Sequence, residues 1–129
     1  MTLKNQLFKC DICGNVAEIV HQGAGNLVCC SEEMELVEDK IAEAGNPHFA
    51  IVDRDDKNIL IKFNHEMIPE HYIEFIEVIS NDEKYLKRKY LSPNSVPELN
   101  FSYKCKEGFK VRIYCNIHGS IVTEGQNNG

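Results

Sequence analysis

No stretch of this chain approaches the ~18 consecutive apolar residues of a membrane-spanning helix, so no membrane partner is expected. The opening residues, MTLKNQLFKCD, lack an apolar segment after the lysine; no secretory signal is expected, and the cytoplasm is the default compartment. Positive charge is in short supply too. The net charge is −6, which argues against a nucleic-acid partner. The one basic cluster, KYLKRKY (Lys84–Tyr90), is short and reads as a solvated loop or strand edge. There is no internal repeat, and the polar tail GQNNG is the only compositionally biased segment.

What is present fits a soluble globular chain: 129 residues, 43% hydrophobic and 26% charged. That length suits one ordinary domain, or a small one joined to a medium one. Six cysteines stand out. Thiols are kept reduced in the cytosol, so metal binding is a better reading than disulfides. Five histidines sharpen it, because four of them lie in the C-terminal part.

Cys10, Cys13, Cys29 and Cys30 fall within the first thirty residues; Cys105 and Cys115 lie far downstream. The first segment, residues 1–37, is rich in Gly and Cys with short β-like runs, VAEIV and LVCC. A segment this small needs a metal, disulfides or a partner chain to hold it. EDKIAEAGNP (Glu38–Pro47) reads as a linker with a helical turn, opening a second domain over residues 38–129. Beyond it the pattern is β. NILIKF puts Ile59, Ile61 and Phe63 on one face; ELNFSYKC does the same for Leu99, Phe101, Tyr103 and Cys105. In FKVRIYC, Phe109, Val111, Ile113 and Cys115 share a face, with Lys110 and Arg112 opposite. Turn signals at DRDDKN, SND, SPNSVP and KEG separate the runs, so an antiparallel sandwich is expected. KEG (Lys106–Gly108) reads as a three-residue hairpin loop, with its glycine at a position that tolerates positive φ. That hairpin sets Leu99 opposite Cys115 and leaves Cys105 roughly 20 Å from Cys115, at about 3.3 Å per residue. Cys105 is then a buried small hydrophobe.

CDICG (Cys10–Gly14) is a Cys-x-x-Cys knuckle, whose backbone turns both sulfurs toward one ion while Gly14 relieves the turn. Adjacent residues on a strand point to opposite faces, so Cys29 and Cys30 share a metal only if the chain bends sharply there. Zinc and iron both suit four thiolates. A second set of candidates is His48 in GNPHFA, His65 and His71 in NHEMIPEHY, and Cys115 and His118 in CNIHG. All lie at strand ends or turns, which converge at one edge of a sandwich. His21 lies outside this set and reads as a surface residue.

CDICG with HQGAGNLVCCSEEMELV (His21–Val37) resembles the desulforedoxin-type iron module. NHEMIPEHYIEFIEV and YCNIHG resemble the histidine-bearing stretch and the C-terminal Cys-Asn-x-His-Gly motif of desulfoferrodoxins, the two-iron superoxide reductases. The resemblance runs in order over nearly the whole chain. It implies a mainly β protein: a small desulforedoxin-like iron domain followed by an immunoglobulin-like antiparallel β-sandwich. It implies iron on Cys10, Cys13, Cys29 and Cys30, and a catalytic iron on His48, His65, His71, Cys115 and His118. It implies reduction of superoxide to hydrogen peroxide by a cytosolic homodimer, with electrons from a rubredoxin-like carrier. The alternatives are a non-catalytic iron electron-transfer protein and a zinc-stapled binding module.

One departure stands out. The family commonly carries Glu-Lys-His before the first ligand, where this chain has Asn46, Pro47 and His48. Asn46 is a weak substitute for a carboxylate ligand, and Pro47 carries neither charge nor N–H. Taken by itself, the lost charge implies a slower and less salt-sensitive reaction with superoxide.

Overall fold

A computed structural model of the chain describes residues 1–42, 46–104 and 106–124. Cys105, and with it the expectation of a buried thiol, lies outside the described residues. All regular structure among them is strand, and no helix is long and apolar enough to cross a membrane. The chain divides into two compact units, Met1–Glu38 and Asp39–Gly129.

The first unit holds β1 (Leu7–Lys9), β2 (Val16–Glu18), β3 (Val28–Cys29), β4 (Glu32–Glu33) and β5 (Glu35–Val37). β1 is the centre of an antiparallel sheet ordered β2-β1-β5, and β3 pairs with β4. Its buried apolar side chains are Leu7, Cys10 and Ile19. Three such side chains bury far too little surface to offset the chain entropy of 38 residues, so a unit this small needs a further tie, for which its sulfur cluster is placed.

The second unit holds β6 (Lys40–Ile41), β7 (Ile51–Arg54), β8 (Asn58–Lys62), β9 (Ile73–Ser80), β10 (Leu86–Tyr90), β11 (Glu98–Ser102), β12 (Phe109–Cys115) and β13 (Gly119–Glu124). They form two sheets, β10-β9-β12-β13-β6 and β11-β8-β7. Every pair is antiparallel except β6 with β13. The alternation read from the sequence aims inward as expected: Ile59, Ile61, Phe101, Val111, Ile113 and Cys115 are all fully buried in one core cluster. Tyr85 Oη, just before β10, and Lys89 Nζ on β10 donate to the carbonyls of Ser102 and Asn100 on β11. Polar side chains thus occupy an open sheet edge that would otherwise offer itself to another chain.

Four expectations are corrected here. ELNFSYKC and FKVRIYC are not a hairpin: β11 pairs with β8, Leu99 opposite Ile61, while β12 lies between β9 and β13. The residue opposite Cys115 is Gly119 on one side and Ile73 on the other, not Leu99. The physical reason is two-sided burial. Arg112 and Tyr114, on the outward face of β12, are 1% and 3% exposed, so β12 is a central strand that needs two neighbours. KEG therefore belongs to a crossing between sheets. Gly108 does not use the positive φ open to glycine; a Cβ there would stand 2.6 Å from Asn81 Nδ2, the end of a side chain that would have to shift aside. The start of the linker also differs from the expected helical turn. Lys40–Ile41 is a short edge strand, Lys40 level with Ile121, and Ala42 N–H donates to the Val122 carbonyl at 3.2 Å.

The outward face of β9 and β12 carries a buried ion cluster. Glu77 is 0% exposed and accepts from Arg112 Nε at 2.7 Å on one oxygen and from Arg88 Nη2 at 2.7 Å on the other. Arg112 Nη1 also lies 3.8 Å from Asp39 Oδ2. Removing one partner of such a cluster strands a buried charge. Glu77→Ala is therefore expected to lower unfolding stability by about 3–5 kcal/mol in denaturant titration, a large share of a typical domain's total. A loss no greater than that of an exposed glutamate would contradict it.

Candidate metal centres

The first cluster forms where two turns face each other. After β1, Cys10 N–H donates to the Asn15 carbonyl and Gly14 N–H to the Cys10 carbonyl, both at 2.9 Å. Gly14 has φ +86°, which its lack of a Cβ allows. Opposite, β3 and β4 are joined by Cys30 and Ser31 with φ of 53° and 63°. Two successive left-handed residues make the tight hairpin turn that twisted strands favour. This is the sharp bend that adjacent cysteines require, and it turns Cys30 back beside Cys29. The sulfurs of Cys13 and Cys29 lie 3.6 Å apart and those of Cys29 and Cys30 4.0 Å apart. A tetrahedron with metal–sulfur bonds of about 2.3 Å has edges of about 3.8 Å, so the four sulfurs fit one ion.

Electrostatics within the cluster fit the same conclusion. The backbone N–H of Cys13, 3.5 Å from Cys10 Sγ, and that of Ile12 hold the Cys10 thiol down to about 7. Cys13, Cys10 and Cys29 crowd Cys30 and push it up to about 12. Four thiols this close cannot all ionise without a cation among them, and a metal that binds there displaces their protons.

The second cluster gathers five residues from four segments of the second unit. His48 lies in a turn between β6 and β7, closed by Phe49 N–H donating to the Asn46 carbonyl at 2.8 Å. His65 follows β8. His71 ends a tight turn in which Ile68 and His71 exchange backbone bonds of 3.1 and 3.0 Å, with Pro69 at the position that suits its fixed φ. Cys115 ends β12, and His118 precedes Gly119, whose φ of +77° closes the β12–β13 loop. A bulge between Tyr114 and Cys115 skips Glu74 in the pairing with β9, which sets Cys115 opposite Ile73. Both side chains then point into the core.

The donor atoms converge. His48 Nε2 lies 3.1 Å from both His65 Nε2 and His118 Nδ1, and His118 Nδ1 lies 3.3 Å from His71 Nε2. The rings of His48 and His71 lie across from each other, with centroids separated by 6.4 Å, against 4.4–5.0 Å for the neighbouring pairs. The nitrogens therefore form a square in the order 48, 65, 71, 118, whose edges approach the about 3 Å expected between neighbouring imidazole ligands at bonds of about 2.1 Å. Cys115 Sγ lies off this square, 3.6 Å from His65 Nε2 and 3.5 Å from His118 Nδ1. Cys115 is fully buried, whereas His118 is exposed. One side of the square is closed by sulfur.

Outer contacts fix which nitrogen faces inward in the rings of His48 and His65. His48 Nδ1 donates to Asn46 Oδ1 at 3.1 Å, and His65 Nδ1 donates to the Glu66 carbonyl at 2.6 Å. Each leaves Nε2 as the free lone pair. His71 Nδ1 lies 3.6 Å from the Glu66 carboxylate. Asn46 Oδ1 also accepts the His48 backbone N–H at 2.8 Å, so the asparagine is turned onto the histidine. Burial and then the neighbouring imidazoles push His48 down to about 4, and burial pushes His65 down as well. Both rings are neutral at neutral pH, as metal ligands must be.

Asn116 is a site residue that periodicity did not single out. Its Oδ1 accepts Tyr72 N–H at 2.9 Å and its Nδ2 donates to the Glu70 carbonyl at 3.2 Å. It thereby ties the loop bearing His118 to the segment bearing His71. Its signal was its place between Cys115 and His118. His21 is exposed, as expected.

A family model described as the desulfoferrodoxin N-terminal domain matches residues 2–37, and one described as desulfoferrodoxin matches residues 42–123. A desulfoferrodoxin homologue of Methanothermobacter thermautotrophicus is 42% identical over 123 residues, covering 92% of this chain and 98% of its own. A desulfoferrodoxin of Syntrophotalea carbinolica is 37% identical over 129 residues, covering 97% and 100%. The superoxide reductase of Treponema pallidum shares the fold: TM-score 0.74 at 21% identity, over 92% of this chain and 97% of that one. The four-cysteine cluster and the four-histidine, one-cysteine group are two sites able to bind iron.

Two outcomes follow from this geometry. His48 titrates lower in the folded protein than unfolded, so between about 6.5 and about 4 the unfolded chain binds more protons. In the metal-free protein, stability in urea is expected to be full above that window and to fall as pH drops through it; His48→Gln should flatten the dependence. Asn46→Ala is expected to weaken iron binding at the second site about tenfold in a chelator competition, because the His48 tautomer is released. The four-cysteine site should be unaffected.

Proposed function

Because the chain belongs to the desulfoferrodoxin family, we propose that it is a superoxide reductase, converting superoxide to hydrogen peroxide by one-electron reduction. The observation that supports this most is the square of imidazole nitrogens closed on its buried side by a single sulfur. On this reading His48, His65, His71, His118 and Cys115 hold the catalytic iron, and Cys10, Cys13, Cys29 and Cys30 hold a second iron that carries electrons. Ferrous iron at the first of these sites supplies, when bound, the one electron that with two protons turns superoxide into hydrogen peroxide.

The chain's own residues set the terms. Neutral imidazoles and one thiolate make a donor set of a single negative charge, which leaves a divalent ion with about +1. That favours a small anion. Cys115 presents its thiolate from the core, where it donates electron density and where water does not compete for its lone pairs. Asn46, the Glu66 carbonyl and Asn116 hold the rings in place, so the exposed side of the square is left to the substrate. Superoxide is the substrate and a rubredoxin-like protein the electron donor, and the working form is a cytoplasmic homodimer.

Metal analysis and visible spectra before and after addition of superoxide test the proposal. Two irons per chain are expected, with sulfur-to-iron bands rising as superoxide is added. Cys115→Ser should remove the bands of the second site and keep those of the first. One zinc and no colour would end the reading. A reduced protein that superoxide does not oxidise rapidly would make it an electron carrier.

A further inference from the structure

A pocket of about 420 Å³ opens at the His48–His118 side of the square. Its polar lining is Lys40, Asn46, His48 and His118; the remainder is aliphatic, with Pro47. We propose that Lys40 is the cation that draws the substrate anion into this pocket and so to the second site. This rests on the reading of that site as a superoxide reductase centre.

The chain as a whole is acidic, at −6, so a small anion approaches against the average field and needs a local source of positive potential. Among the described residues lining the pocket, Lys40 is the side chain with a permanent charge. Two independent features hold it there. The parallel pairing of β6 with β13 sets Lys40 level with Ile121, three residues beyond His118. The Lys40 ammonium also donates to the His118 carbonyl at 3.3 Å. That bond spans 78 residues of sequence and places the charge on the loop that carries a ring of the square.

The acid next to it in sequence does not cancel it. The Asp39 carboxylate accepts Ser120 Oγ at 2.5 Å and lies 3.8 Å from Arg112 and 4.0 Å from Lys110. Asn46 is committed to His48 and offers the anion no negative charge. Pro47 and the aliphatic wall give the pocket a low-dielectric side, against which a single charge acts further than it would in open water. The charge absent from position 47 is thus supplied from position 40, by a strand 78 residues before the His118 loop it serves.

The test compares the iron-loaded protein with Lys40→Gln, Lys40→Arg and Lys57→Gln. The last removes the same charge from an exposed turn between β7 and β8. Two readouts are taken: the second-order rate with superoxide by pulse radiolysis at two salt concentrations, and the affinity of the oxidised protein for azide by visible titration. Lys40→Gln is expected to slow the reaction about tenfold, flatten its salt dependence and weaken azide binding, with iron content unchanged. Lys40→Arg should keep most of both, and Lys57→Gln all of both. If Lys40→Gln matches Lys57→Gln in azide affinity while the parent protein reacts with superoxide, the role of Lys40 is overturned and the function stands. If the parent does not react, the function fails, and azide affinity alone decides whether Lys40 draws anions to the site.

Discussion

Five electron-pair donors directed at one point have no reason to stay together unless a cation lies between them. Four imidazole nitrogens at about 3 Å spacing and a sulfur beside them repel one another as lone pairs and desolvate one another as bases. The depression of His48 and His65 is the sign of that conflict. The second unit tolerates it because a large β core lies directly beneath, and β12 delivers Cys115 from that core at no exposure. The site is built on the ends of strands whose positions are settled by packing elsewhere.

The first unit has the opposite economy. Its apolar core is too small to impose a geometry, so the arrangement of its sulfurs and the arrangement of its chain are one problem. The solution rests on backbone conformations that side chains resist: two left-handed residues at Cys30 and Ser31, and a left-handed glycine after the knuckle. A non-glycine residue with positive φ costs free energy, and here it lies at a ligand. Strain at such a place is consistent with binding energy being available to offset it.

Charge is arranged at three scales. The molecule is acidic overall, so its average field repels anions. In the sheet interior the Glu77 carboxylate is shared by Arg112 and Arg88, and Asp39 near Arg112 supplies the second negative charge. At the pocket beside His48 and His118, the Lys40 ammonium is held by a carbonyl, and among the described residues no carboxylate pairs with it, so its field reaches outward. A carbonyl orients a lysine without neutralising it. That difference turns an ordinary surface lysine into a steering group.

Residue types and short spacings were enough to nominate both donor sets, because ligand chemistry is local: thiolates and imidazoles are what a soft or borderline metal needs, and Cys-x-x-Cys closes on one ion whatever surrounds it. Period-2 alternation likewise identified which side of each strand faces inward, since burial follows directly from the pleat. Pairing was not legible in the same way. The turn at KEG has the letters of a hairpin, yet β12 was claimed by β9 and β13, because the face bearing Arg112 and Tyr114 is buried too and a strand buried on both faces goes to the middle of a sheet. Lys40 had no local mark at all. Its role comes from a two-residue parallel pairing and one bond to a carbonyl far along the chain, both of which exist only once the strands are in register. Candidate donor types and apolar faces are local properties and can be read along the chain; strand neighbours and the charge beside the site depend on contacts between residues that no local pattern connects, and so appear with the folded structure alone.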